Sequence, residues 1–187
     1  MDLLTILFMA LGLSMDAVAV AMANGCASRK VEPSQVLRLA FFFGFFQMLM
    51  PVIGWLVGLG FKKAISGFDH WLAFILLAFI GGKMMLEARR RPDCRAEGTR
   101  LRLPVLLALA VATSIDALAV GLSFSALAVS ILVPVLLIGT VTFALSFVGV
   151  FAGHKFGTMF AGKVEVLGGL ILFSIGLKIL LEHLGGG

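Results

Sequence analysis

Two stretches of the chain set an ionisable carboxylate in an apolar context and repeat nearly the same residues around it: Ser14-Met15-Asp16-Ala17-Val18-Ala19-Val20 and Ser114-Ile115-Asp116-Ala117-Leu118-Ala119-Val120. An aspartate near the middle of a bilayer-length apolar run is costly to keep ionised, and such residues mark ion pathways and proton relays. Two of them brought together repel, so an empty pair favours a bound proton, which a divalent cation displaces. Hard cations such as manganese or magnesium take mostly oxygen ligands, about six for octahedral geometry. Two carboxylates would neutralise such an ion without completing its shell. Candidates for the remainder are Thr113, three residues before Asp116, then Asn24, Ser123, the pair Gln47 and Thr142, backbone carbonyls and water. Ser14 and Ser114, two residues from an aspartate, point elsewhere unless the helix is locally broken.

The elements that must position these groups are long and apolar. Of the 187 residues, 60% are hydrophobic and 13% charged, and the mean hydropathy is +1.10, values outside those of soluble domains. Six apolar runs cover 3–23, 39–61, 71–88, 103–124, 126–153 and 164–182, each near the ~20 residues that cross a hydrocarbon core as helix. Barrel strands would alternate with period two over about ten residues, which these runs do not. The first run follows Met1-Asp2 with no basic segment and contains Asp16, so it is expected to be a retained helix and not a signal peptide. Cys26 and Cys94, the two cysteines, offer neither a disulfide framework nor a thiolate cluster.

The halves correspond. At an offset of one hundred, Ser14, Asp16, Ala17, Ala19 and Val20 meet Ser114, Asp116, Ala117, Ala119 and Val120; at ninety-five, Gly44, Gly54, Gly58 and Phe61 meet Gly139, Gly149, Gly153 and Phe156. Later, Leu72, Ile80, Gly81, Lys83, Leu86 and Glu87 meet Leu167, Ile175, Gly176, Lys178, Leu181 and Glu182. A three-helix unit has an odd number of crossings, so its second copy enters from the opposite face. The expected fold is an all-α integral membrane protein of six transmembrane helices in two inverted three-helix repeats, 1–88 and 103–187, joined by a basic loop at 89–102. The first and fourth helices would then run antiparallel and bring Asp16 and Asp116 to a similar depth.

The net charge of +5 falls mainly on the odd loops: Arg29, Lys30 and Arg38; Arg89 to Arg102; Lys155 and Lys163. The positive-inside rule makes those loops cytoplasmic and both termini external, and reads the arginine run as topology, not nucleic-acid binding. Lys83 with Glu87 and Lys178 with Glu182 are spaced for snorkelling ion pairs. Met48, Met50, Met84 and Met85 suit packing, His70 and His154 lie at membrane borders, and Pro51 is expected to kink the second helix. No catalytic domain or nucleotide-binding loop is visible, so the chain reads as a gradient-driven transporter, not an enzyme, with no resident cofactor.

With the repeated aspartate motif and the segment Phe42-Phe43-Gly44-Phe45-Phe46-Gln47-Met48-Leu49-Met50-Pro51-Val52-Ile53-Gly54-Trp55, the chain resembles the bacterial manganese efflux pumps of the MntP family over nearly its whole length. The resemblance implies export of Mn2+ across the inner membrane, with the family's two motif aspartates at Asp16 and Asp116. Family members can carry an acidic residue where Gln47 stands, which argues against a direct ligand role for Gln47. Outward movement of a divalent cation against an inside-negative potential costs roughly 4.6 kcal/mol per 100 mV, so exchange for protons is expected. The partners are then Mn2+, protons and the lipid bilayer, in a monomer or a homodimer. Rival readings are export of Cd2+, Fe2+ or Mg2+, export of an amino acid or small organic cation, as in the wider lysine-exporter superfamily, and a non-transporting subunit.

Overall fold

The computed structural model describes residues 3–28, 30–65, 102–127 and 130–156, with scattered helical positions between 74 and 82 and between 166 and 181. Apolar runs in lipid must satisfy their backbone groups internally, which leaves helices as the outcome. Among the described residues there are five: α1 (Leu3–Ala27), α2 (Pro33–Ile65), α3 (Leu103–Thr113), α4 (Ile115–Ala126) and α5 (Leu132–Phe156). Taken together, α3 and α4 cover Leu103–Ala126, so four stretches of the described residues are long and apolar enough to cross a membrane. No strand occurs among the described residues. Apart from those scattered positions, the third and sixth expected spans lie outside the described residues, as do His70, Lys83, Met84, Met85, Glu87, Cys94, Glu182 and most of the basic loop.

Helix ends follow local chemistry. Pro33 opens α2 where no N–H is needed, while Gln35 and Val36 donate their N–H groups to Glu32 O. At the end of α1, Ser28 donates both its N–H and its hydroxyl to Asn24 O. Pro51, expected to kink the second helix, lies inside an α2 that continues on both sides. Having no N–H, it leaves the Gln47 carbonyl without its helical donor. The fourth expected span departs from a single helix: it breaks at Ser114, which is neither in α3 nor in α4. Cys26 departs from expectation as well, being disulfide-bonded.

Glycines set how the helices meet. A Cβ at Gly25 would overlap Val150 O and one at Gly153 would overlap Met22 O, so the backbones of α1 and α5 touch near their C-terminal ends; Ser14 beside Thr142, Val18 beside Gly149 and Ser28 beside His154 make the two parallel. A Cβ at Gly54 would overlap Leu118 O and one at Gly121 would overlap Pro51 O, so α2 and α4 touch too, and Gly54 beside Leu118 followed by Gly58 beside Ser125 makes them parallel. Gly44 faces Gly139 and Phe143, and Gly139 takes the Met48 side chain, making α2 and α5 antiparallel. Met48 therefore fills packing space, as expected of it. Removing Cβ atoms lets backbones approach, which is how helices associate in lipid. Met9, Leu13, Val120, Phe124 and Ile138 form one buried cluster, and Ala17, Phe43, Leu106, Ala110 and Val150 another. Leu4, Phe41, Phe45, Leu56, Leu132 and Val148 are exposed on the outer faces, an outer surface suited to lipid.

Candidate functional site

Asp16 lies mid-way along α1 and is half-buried; Asp116 lies in the first turn of α4 and is 9% exposed. The helix break explains the environment of Asp116. In a continuous helix the Ala117 N–H would donate to Thr113 O; here it donates to Asp116 Oδ1 at 2.9 Å. The carboxylate thus sits at the positive end of α4, where the helix dipole favours negative charge, and the Thr113 carbonyl is released from its helical donor. Ser114 stabilises the break by donating its hydroxyl to Ala110 O at 2.8 Å and Val111 O at 3.0 Å.

Gln47 connects the two aspartate-bearing segments. Its Nε2 donates to Leu13 O at 2.8 Å and to Thr113 O at 3.4 Å. Leu13 and Thr113 each stand three residues before an aspartate, so one nitrogen holds equivalent points of both motifs together. Two carbonyl acceptors require the nitrogen on that side, which fixes the amide orientation and leaves Oε1 facing away from them. Gln47 is fully buried, and Oε1 has no hydrogen-bond partner among the described residues.

Thr142 lies at the ninety-five-residue offset from Gln47 and is also fully buried; its Oγ1 is 2.8 Å from Ser14 Oγ, which also donates to Ala10 O. Ser14, which helical spacing directs away from the site, is thus part of a polar contact between α1 and α5. Its signal in the sequence is the shared repeat position with Ser114. Thr113 donates its own hydroxyl to Leu109 O and Ala110 O within α3. Asn24 lies eight residues beyond Asp16 and Ser123 seven beyond Asp116, roughly 10–12 Å along their helices. The Ser123 hydroxyl donates to Ala119 O. Gln47 and Thr113 are therefore joined to each other and to the Leu13 turn of α1, whereas Asn24 and Ser123 stand two turns away from the aspartates. Ser125 and Ser146, which spacing does not single out, are buried and their hydroxyls have no partner among the described residues. His154, at the exposed end of α5, places Nδ1 3.1 Å from Ser28 O, and Lys178 donates to Thr5 Oγ1 at 3.3 Å.

No three His, Cys, Asp or Glu residues converge among the described residues. The polar groups assembled near the motifs are carboxylate, amide, hydroxyl and freed backbone carbonyl, an all-oxygen donor set on discontinuous helix that suits a hard or borderline divalent cation.

A family model described as "Putative manganese efflux pump" matches residues 30–180. Among curated relatives, a "Putative manganese efflux pump MntP" of Rippkaea orientalis is 52% identical over 184 residues, covering 98% of each chain. One of the same description from Methanosarcina mazei is 51% identical over 185 residues, again 98% of each chain. A Clostridium botulinum relative is 44% identical over 193 residues, 98% of this chain and 96% of its own. No solved structure matches the chain.

Proposed function

The chain belongs to the MntP family of manganese efflux pumps, and from that premise we propose that it exports Mn2+ across the bacterial plasma membrane in exchange for protons. The observation that carries the site assignment is the Gln47 amide, which ties the turn before Asp16 to the turn before Asp116. In the proposed site both carboxylates bind the ion, and the Thr113 carbonyl, the Thr142 hydroxyl and water complete its shell. Asn24 and Ser123 line the route on either side.

The inverted-repeat reading draws support from the helix contacts. Under the offsets of one hundred and ninety-five, Gly153 against Met22 on α5 and α1 exchanges with Gly58 against Leu122 on α2 and α4, where a Gly58 Cβ would stand 3.1 Å from Leu122 Cδ1. Gly149 against Val18 exchanges in the same way with Gly54 against Leu118. Parallel pairing of α1 with α5 and of α2 with α4, and antiparallel pairing of α2 with α5, is the pattern that two opposed copies would give. Both termini then lie outside the cytoplasm, the orientation favoured by the basic loops.

Proton exchange follows from the charges. Ligand carboxylates must be deprotonated to bind metal, so metal binding releases protons and external acidity expels the metal. Two protons per Mn2+ would make the cycle electroneutral. Reconstituted in liposomes, the protein is expected to drive proton flux dependent on Mn2+ and on both aspartates. Export that persists with both the pH gradient and the potential collapsed would refute the exchange.

A further inference from the structure

Resting on the manganese-site reading, we propose that Gln47 is a positioning residue, a clamp whose Nε2 sets the spacing of the two aspartates. Several observations meet here. Leu13 lies within the continuous α1, so its carbonyl already serves the helix and takes Gln47 as an additional donor at 2.8 Å. Thr113 O lost its helical donor when Ala117 N–H turned to Asp116 Oδ1, and Gln47 replaces that donor at 3.4 Å. One amide thus grips a rigid segment and a broken one at matching positions.

The clamp is built to hold still. Gln47 is fully buried, in a low-dielectric setting where a hydrogen bond is electrostatically stronger and an unpaired group costly. It stands one turn before Pro51, whose carbonyl abuts Gly121 on α4, so α2 is pressed onto α4 one turn beyond the amide. In this chain the neutral amide suits the clamp, because its two N–H groups face two carbonyls. A carboxylate of the same size would present oxygen to oxygen on the clamping side.

The substitution Gln47→Glu therefore tests the clamp. Mn2+ binding to the full-length protein would be followed by loss of the free-ion paramagnetic signal across pH, for wild type, Q47E and Q47M. The expected result is about tenfold or greater weakening in both variants at neutral pH, the size found when groups that orient metal ligands are removed. The Q47E deficit relative to wild type should narrow as pH falls, because a protonated carboxyl again donates a hydrogen bond to one carbonyl. Q47M should weaken binding little further in a D116N background, since positioning acts through the pair of aspartates. Wild-type or tighter binding by Q47E at neutral pH would overturn the clamp, as would full additivity with D116N.

A second measurement needs no metal. Spin labels at the exposed positions Leu7 and Ile115, in a background with Cys26 and Cys94 replaced by serine, report the separation of α1 from α4. A narrow distribution that broadens with Q47M supports the clamp; an unchanged one overturns it. If wild type fails to bind Mn2+ while the distribution still broadens, the manganese reading fails and the clamp stands.

Discussion

At the scale of single residues, the proposed exchange requires the two aspartates to alternate between holding a proton and holding a metal. Asp16→Asn and Asp116→Asn each remove one negative charge and one proton carrier, so each is expected to abolish export. The check is manganese sensitivity of a deletion strain carrying either variant; tolerance unaffected by both substitutions would displace the site from this pair. Thr142→Val keeps shape but deletes the contact with Ser14 Oγ, a loss of about 0.6 kcal/mol by the average for buried bonds in membrane helices. Thermal unfolding in detergent should register that small decrease, and export should weaken as well, because the same hydroxyl belongs to the proposed Mn2+ shell. The aspartates are legible because a charge in apolar sequence stands out, and twice at one spacing more so. The partners of Gln47 are not legible, because they are backbone oxygens and a sequence records side chains only. Ser14 escapes for a related reason: helical spacing places a residue on its own helix but not against a neighbouring one, and α5 approaches from the side where Ser14 points.

At the scale of helices, contact is made by backbone, so side-chain volume at a few glycines decides whether the bundle closes. Gly121→Leu would drive a side chain into Pro51 O, and Gly25→Leu one into Val150 O; each is expected to destabilise by about 3 kcal/mol or more, the upper range for overpacking. Gly149→Ala places its Cβ 3.4 Å from Ala21 Cβ and from Val18 O, ordinary contact, and should leave the unfolding temperature almost unchanged. Comparing these variants tests the packing without reference to transport. The sequence announces the helices and the small residues along them, but not the break at Ser114. Nothing in Leu103–Ala126 resembles a helix stop: no glycine or proline stands near Ser114, and serine occurs in continuous helix at Ser14. The break depends on what surrounds the segment, including a side-chain donor for the released Thr113 carbonyl.

At the scale of the molecule, the proposed two-for-one exchange would make the pH gradient the whole driving force. Two protons per ion convert one pH unit into about a hundredfold Mn2+ gradient at equilibrium, from 1.36 kcal/mol per unit per proton. Liposomes with an imposed pH gradient should approach that ratio, and an imposed potential should not shift it; a shift of roughly tenfold per 60 mV would mean one net charge moves per cycle. The three-plus-three correspondence and the family are both readable from the sequence, because repeats and motifs are properties of residue order. The relative directions of α1, α2, α4 and α5 come from the glycine contacts, which pair residues far apart in the chain.

Those glycine contacts also act as mechanical constraints. Helices already touching backbone to backbone cannot be pushed closer, so any rearrangement that preserves the contacts has to turn about them. Between α1 and α5 the contacts run from Gly25 with Val150 and Gly153 with Met22 back through Val18 with Gly149 to Ser14 with Thr142, so these two helices turn as one body. Asp16 lies between the last two of those contacts and is carried by that body, whichever way it turns.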